Sequence, residues 1–257
     1  MRGWAHSDPT PMPLLDVRGV SKSFGGVRAV HDVSFSVERG ELVGIMGPNG
    51  SGKTTLFNLI SGALAPDAGR IRLQERDIAG LAPHRICARG IARTFQLVRP
   101  FAGLTAIDNV LVGRLYGRGR RPVSAAIADA ERLLALVGLE ARARVPAAEL
   151  TLIDRKRLEL ARALATDPEL LLLDEFMAGL NPAETAIAMA LIRRLSAEGM
   201  SVLIVEHIVW ALMELSRRIL VLSAGERIAD GPPRAIAADP AVVDVYLGTD
   251  PGHGSRA

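Results

Sequence analysis

Cysteine is nearly absent. One thiol, Cys87, in 257 residues cannot close an internal disulfide, and with no neighbour in the sequence that suggests a reactive thiolate it reads as a small buried apolar side chain. Disulfide-stapled exported scaffolds are thereby excluded, and a reducing compartment, most simply the cytoplasm, is expected. Long apolar runs are also missing. Stretches such as Leu170–Leu173 and Val202–Val205 are strand-sized, far short of the roughly 20 residues with which a helix crosses a bilayer. Near the start, Asp8, Pro9, Pro11 and Pro13 interrupt the apolar core that an export signal requires. Aromatic residues make up only 4% of the chain and the net charge is only +3. The one basic cluster, Arg114, Arg118, Arg120 and Arg121, carries a single ring, Tyr116, where a single-strand binder needs several stacking rings. It reads as a solvated loop or a partner contact, and no nucleic acid is expected as a partner. Self-similarity at solenoid periods is absent, so no repeat array is expected.

What remains is a chain with 49% apolar residues, long enough for one large domain or a domain with a subdomain. Leu14–Val20, Arg28–Val37 and Leu42–Met46 read as strands, the last running straight into a glycine-rich loop. A helix from Leu56 to Ser61 follows, stopped by Gly62 and Pro66, then strands at Ile71–Leu73 and Ile91–Phe95. From 104 to 165 the character changes. Ala and Leu recur at helical spacing through Ser124–Val137 and Lys156–Leu164, which predicts a helical insertion. Strand signals return at Leu170–Asp174, Val202–Val205 and Arg218–Leu222, separated by the helical pattern of Pro182–Leu195 and a shorter one after His207. Such alternation implies right-handed crossovers and a mainly parallel sheet, so the expected class is α/β.

The loop Gly47-Pro48-Asn49-Gly50-Ser51-Gly52-Lys53-Thr54 fits G-x-x-x-x-G-K-[ST]. Gly50 and Gly52 let the backbone turn its N–H groups inward, a nest that joins the next helix N-terminus in binding phosphate. Lys53 suits the β- and γ-phosphates of a nucleotide, and the Thr54 hydroxyl suits Mg2+. Farther on, Leu170-Leu-Leu-Leu-Asp174-Glu175 sets two carboxylates at the carboxyl end of a buried strand, where open α/β sheets place their ligands. Asp174 suits the Mg2+ shell, and Glu175 suits a base that polarises the attacking water. Gln96 and His207 each follow a strand. An amide there can hold water or Mg2+, and an imidazole can donate to the charge developing on the γ-phosphate.

The order Phe24, phosphate loop, Gln96, Asp174-Glu175, His207 resembles the ATP-binding subunits of ABC transporters across nearly the whole chain. That resemblance implies a P-loop NTPase core with a mainly parallel sheet, an antiparallel β subdomain and an α-helical insertion. The core would span 14–103 and 166–257 and the helical subdomain 104–165. It implies ATP and Mg2+ as cofactors, with Phe24 stacking on adenine, Gly47 to Thr54 and the adjoining Thr55 holding the nucleotide, Thr54, Gln96 and Asp174 at the metal, and Glu175, His207 and Gln96 in catalysis. The implied partners are a second ATPase subunit, identical or paralogous, transmembrane permease subunits, contacted around Arg99, Pro100 and Phe101, and indirectly a solute-binding protein. The chain would lie at the inner face of the cell membrane.

Within the family, Ile91-Ala-Arg-Thr-Phe-Gln96, Gly179-Leu-Asn-Pro182 and Asp239-Pro-Ala-Val-Val-Asp-Val-Tyr-Leu-Gly248 resemble the branched-chain amino acid uptake type. The family's Leu-Ser-Gly-Gly-Gln signature should fall at Leu150-Thr-Leu-Ile-Asp154, which has neither glycine. Thr151-x-x-Asp154 reads independently as a capping box that opens a helix. In this family the signature of one subunit closes over the loop of the other, so the departure bears on the partner's ATP. Phe176, where proline often follows the catalytic Glu, and Ile208 also depart from the pattern. Asp77-Ile-Ala-Gly80 matches D-x-x-G, but no apolar strand ends at Asp77 and no Asn-Lys-x-Asp motif accompanies it, which argues against a GTPase. A pure ATP-binding regulatory module is the remaining alternative.

Overall fold

The computed structural model describes residues 12–94, 100–119 and 122–247. Two sheets organise it. Strands β1 (Leu15–Phe24), β2 (Val27–Val37), β4 (Ala68–Leu73) and β5 (Arg76–Asp77) form an antiparallel sheet in the order β2-β1-β4-β5. The larger sheet holds β3 (Leu42–Met46), β6 (Ile91–Arg93), β7 (Leu170–Asp174), β8 (Ser201–Val205), β9 (Arg218–Ser223) and β10 (Glu226–Gly231), in the order β10-β9-β3-β8-β7-β6. All its pairings are parallel except the β9–β10 hairpin.

The central strands are short, apolar and buried on both faces, as a sheet covered on both sides demands. Alternation along each strand divides the core in two. Leu171, Leu173, Val202 and Ile204 pack with helices α3 (Ala106–Tyr116), α4 (Val123–Leu136) and α5 (Leu152–Ala165). Leu170, Leu172, Leu203 and Val205 pack with the antiparallel sheet and α1 (Lys53–Ile60). The helices of the 104–165 stretch therefore share one core with the sheet. The remaining helices are α2 (Pro83–Arg89), α6 (Pro182–Ala197), α7 (Val209–Leu215), α8 (Pro233–Ala238) and α9 (Pro240–Leu247). Among the described residues, no helix is long and apolar enough to cross a membrane.

The expected strands and helices appear within a few residues of their predicted bounds. Of the arginine cluster expected as a solvated loop or a partner contact, Arg114 departs from that expectation. Arg114 Nε donates to Asp129 Oδ2 at 2.7 Å in a buried ion pair that ties α3 to α4, and Arg118 pairs with Glu169. Arg120 and Arg121 lie outside the described residues. Asp77 sits on the edge strand β5 and its carboxylate accepts from the Ala79 N–H, a turn-capping role away from the parallel sheet.

Candidate functional site

Strand order places the chemistry. With β3, β8 and β7 adjacent, the loop after Met46, the segment after Val205 and the pair Asp174-Glu175 emerge side by side at the carboxyl edge of the sheet. The loop backbone can take this shape only with glycine. Gly47 has φ 153°, and a Cβ there would come within 2.1 Å of the Leu222 carbonyl oxygen. Gly52, the N-cap of α1, has φ 101°, makes no side-chain cap bond and is followed by no acidic residue in the first turn. The first N–H groups of α1 therefore meet no side-chain acceptor of their own cap, the arrangement that binds an anion.

Lys53 is 5% exposed and folds back on the loop, its Nζ donating to the carbonyl oxygens of Gly47 at 2.7 Å and Pro48 at 2.9 Å. Burial lowers its pKa below the usual lysine range, while the nearby Glu175 charge opposes the shift. Pro48, Asn49, Gly50 and Thr54 form the open side of the loop, Ser51 is buried beneath it, and Thr55 is half-buried at the start of α1.

Glu175 leaves β7 in the left-handed region at φ 49°, its N–H bonded to the Val205 carbonyl at 2.9 Å. Such a conformation costs a non-glycine residue about 1–3 kcal/mol and persists where its surroundings over-determine it. Its Oε1 lies 2.6 Å from His207 Nε2. The two expected catalytic groups thus meet through one hydrogen bond, the carboxylate nearly buried and the imidazole half-exposed. Asp174 is buried and shares with Thr54 the wall of a cavity of about 780 Å³. A buried carboxylate and a hydroxyl on one wall fit Mg2+, which takes few protein oxygens and completes its shell with phosphate and water. No cluster of three or more His, Cys, Asp or Glu that could hold a metal occurs among the described residues. Gln96, the third expected metal and catalytic position, lies outside the described residues, as do Phe95 and Arg99.

Phe24 ends β1 at 47% exposure with Lys22 Nζ 5.8 Å from its ring centroid, so core packing is excluded for it. Phe101 is 45% exposed and its ring is covered by Arg162. Asn181 caps α6 in a full capping box with Glu184, and Pro182 takes the first helical position. Thr151 is the N-cap of α5, its Oγ1 accepting from Asp154 N at 3.3 Å.

Three buried charged residues were not singled out as site residues by the sequence reading. Arg93, at the end of β6, donates to Asp174 Oδ2 at 2.7 Å. Glu206, beside His207, accepts from the Met177 N–H at 2.8 Å, and burial pushes its carboxyl up to about 7. Lys156, one turn into α5, lies 3.5 Å from the Glu175 carbonyl oxygen and over the Phe176 ring. Burial lowers its pKa, with the charges of Glu206, Glu159 and Glu175 opposing. Lys156 and Glu206 thus flank the turn that carries Glu175. The available signal was a charged residue inside an otherwise apolar stretch, as in Leu203-Ile-Val-Glu206.

A family model described as "ABC transporter" matches residues 30–178. A second, described as "Branched-chain amino acid ATP-binding cassette transporter", matches residues 226–251. The chain is 40% identical over 250 residues to the high-affinity branched-chain amino acid transport ATP-binding protein BraF of Pseudomonas aeruginosa, covering 92% of this chain and 98% of that one. It superposes on the ADP conformation of MJ1267, an ATP-binding cassette of an ABC transporter, with a TM-score of 0.83 at 32% identity over 92% of this chain and 99% of that one. The dimeric post-hydrolysis structure of the cassette MJ0796 bound to ADP and Pi matches with a TM-score of 0.76 at 26% identity over 86% and 99%.

Proposed function

The chain belongs to the family of ABC transporter ATP-binding cassettes, and from that premise we propose that it hydrolyses Mg-ATP to energise an importer of branched-chain or other hydrophobic amino acids, or related amides and ureas. The observation that carries the hydrolytic part is the 2.6 Å contact between Glu175 and His207, one strand away from an uncapped phosphate loop. In this reading the α1 N-terminus and Lys53 hold the phosphates, Phe24 stacks on adenine, and Thr54, Asp174 and Gln96 surround the cation. Glu175 orients and deprotonates the attacking water. His207 is fixed by that carboxylate and donates to the charge building on the γ-phosphate. Mg2+, held by Thr54, Asp174 and Gln96, would supply charge neutralisation to the nucleotide phosphates.

The 104–165 helices act as the lobe that faces membrane partners, with Pro100 and Phe101 at the contact, and the protein works as one half of a cassette pair beneath two permeases at the inner face of the membrane. The substrate class rests on the C-terminal match and on the likeness to BraF. Co-purification with permeases and a solute-binding protein, and ATP-dependent uptake of labelled leucine in vesicles carrying the complex, test it. Uptake that fails for every branched-chain, aromatic and amide substrate while ATP turnover persists would overturn the substrate class alone.

A specific observation favours an unlike pair. The α5 N-terminus, which the family turns toward the partner's nucleotide, is already capped by Thr151 and carries Asp154 in its first turn. A paralogous partner with an unmodified signature would leave the site of Lys53 and Glu175 competent and the opposite site slow. Turnover after Glu175→Gln should then fall far more than after the equivalent change in the partner; equal losses refute this asymmetry.

A further inference from the structure

Arg93 is assigned no role by the nucleotide site described above, yet its surroundings are built around that site. The guanidinium is almost fully buried, with 8% of its side chain exposed, and it faces an Asp174 side chain that is 6% exposed. Nη2 donates to Asp174 Oδ2 at 2.7 Å, while Nη1 donates to Asn58 Oδ1 at 2.7 Å and to Ser61 Oγ at 2.8 Å. Its plane lies over the Phe57 ring, 5.8 Å from the centroid. One side chain from β6 thereby joins β7, which carries Asp174, to the last turn of α1, whose first turn carries Lys53 and Thr54.

Burying such a charge is unfavourable unless its partners are placed to receive it. Here they are, and the planar fork of arginine, with its several fixed donors, is what lets one group hold three acceptors on two elements. A lysine at 93 could not reproduce this. Among the described residues, the Asp174 carboxylate is in turn held through one oxygen, Oδ2, which fixes its rotation and leaves Oδ1 to a cation. Outer-shell partners of metal-binding carboxylates act in this way, and their loss typically costs roughly 10–100-fold in metal affinity or activity.

We propose that Arg93 is a positioning residue for the cation site, setting the orientation of Asp174 relative to the helix that carries Thr54. This rests on the reading of Asp174 and Thr54 as Mg2+-facing groups. It gives the third residue of Ile91-Ala-Arg-Thr a task of its own: Arg93 binds no nucleotide, and it acts through Asp174.

The test is a binding measurement on the full chain. The thermal midpoint is followed as Mg2+ is titrated at saturating ATP in a Glu175→Gln background, which removes turnover, with ATP in EDTA as the reference. In Arg93→Met, whose stem still covers Phe57, the Mg2+ concentration for half-maximal stabilisation should rise roughly 10–100-fold, while the affinity for ATP in EDTA stays within about 2-fold. Arg93→Lys should recover part of the loss, because the charge remains and the fork does not. Asn58→Ala, which removes one anchor and leaves the charge, should shift the Mg2+ requirement in the same direction by less, and it stands in if Arg93→Met does not fold. An unchanged Mg2+ requirement in a folded Arg93→Met, or in Asn58→Ala where that is the variant that folds, overturns the proposal. So does an equal loss of ATP affinity in EDTA, which would make Arg93 a structural support of the loop. Asp174→Asn separates the two readings: if it leaves the Mg2+ requirement unchanged, the assignment of the cation site itself fails.

Discussion

Two helix N-termini in this chain face opposite demands and are built in opposite ways. α1 begins at Gly52 in the left-handed region, with no side-chain cap and no acidic residue in its first turn, and is followed at once by Lys53. α5 begins at Thr151, whose hydroxyl accepts from Asp154 N, and Asp154 adds a negative charge within the first turn. Both present the positive end of a helix dipole. Of the two, α1 keeps its N–H groups and its charge for an outside anion; α5 answers one of its N–H groups, that of Asp154, with the Thr151 hydroxyl. A helix end that satisfies itself is a stable start and a poor phosphate site. On the function proposed above, the loop at Gly47 would serve the chain's own nucleotide while the segment 150–154 would offer a partner less than a glycine-rich signature does.

The sharpest way to break the comparison is at the open end. Lys53→Ala removes the cation of the loop, and turnover should fall roughly 10²–10³-fold, the scale for losing one donor to developing charge, with nucleotide affinity falling as well. Glu175→Gln keeps the loop and removes the base, so turnover should fall by a comparable or larger factor, roughly 10²–10⁴-fold, while ATP affinity stays intact. If both variants retained affinity, the phosphate site would not lie at α1. Steady-state turnover beside equilibrium binding of a labelled nucleotide distinguishes the cases.

Gly47→Ala tests the backbone rather than the charge. The added methyl carbon would stand 2.1 Å from the Leu222 carbonyl at φ 153°, so the loop must shift or β9 must give. We expect a loss of about 1–3 kcal/mol in chemical denaturation, with nucleotide affinity reduced in step. A variant of wild-type stability would show that the loop is not seated on β9 in solution.

The network between the two helix ends titrates. Glu206 has its carboxyl raised from about 4.5 to about 7, first because it is buried. A folded-state value above the unfolded one means that the folded state binds the proton more tightly. Its stabilising contribution is therefore complete below pH about 4.5 and is lost as pH rises to about 7, by at most about 3 kcal/mol. Glu206→Gln cannot ionise and should flatten that part of the stability–pH curve, as followed by denaturation at several pH values. A slope between pH 5 and 7 that survives the substitution would place the titration elsewhere.

Periodicity and motif spacing made most of this visible in advance, because strands buried on both faces must be apolar throughout and a phosphate loop must spend glycines at fixed intervals. Leu42–Met46, Leu170–Asp174 and Val202–Val205 were legible for the first reason, and Gly47 to Thr54 for the second. Helix α2 gives a weak sequence signal, although Pro83 at its first position and Gly90 at its end are the usual punctuation; its few apolar residues give no clear period. α3 opens at Thr105 with Asp108 three residues on, the same signal recognised at Thr151. The roles of Arg93, Glu206 and Lys156 stayed hidden for a different reason. A buried charge is meaningful only through partners far away in sequence, 81 residues in the case of Arg93 and Asp174, and one chain cannot show which strands will be neighbours.

The smallest expected effect bears most directly on the closed end. Thr151→Ala removes the N-cap of α5 and should cost about 1 kcal/mol of stability, readable as a shift in the denaturation midpoint. The chain's own site should not notice: nucleotide affinity at Lys53 should stay as it was, because in the pairing proposed above the segment 150–154 faces the partner's nucleotide. In an assembled pair the same substitution should leave turnover at the Glu175 site unchanged and free an N–H group at the α5 end for the opposite nucleotide, raising that slow site by no more than a few-fold while Asp154 remains. A large fall in turnover at the Glu175 site would mean that Thr151 reaches its own catalytic turn, through Lys156 and Phe176, and the two helix ends would then be one device instead of two.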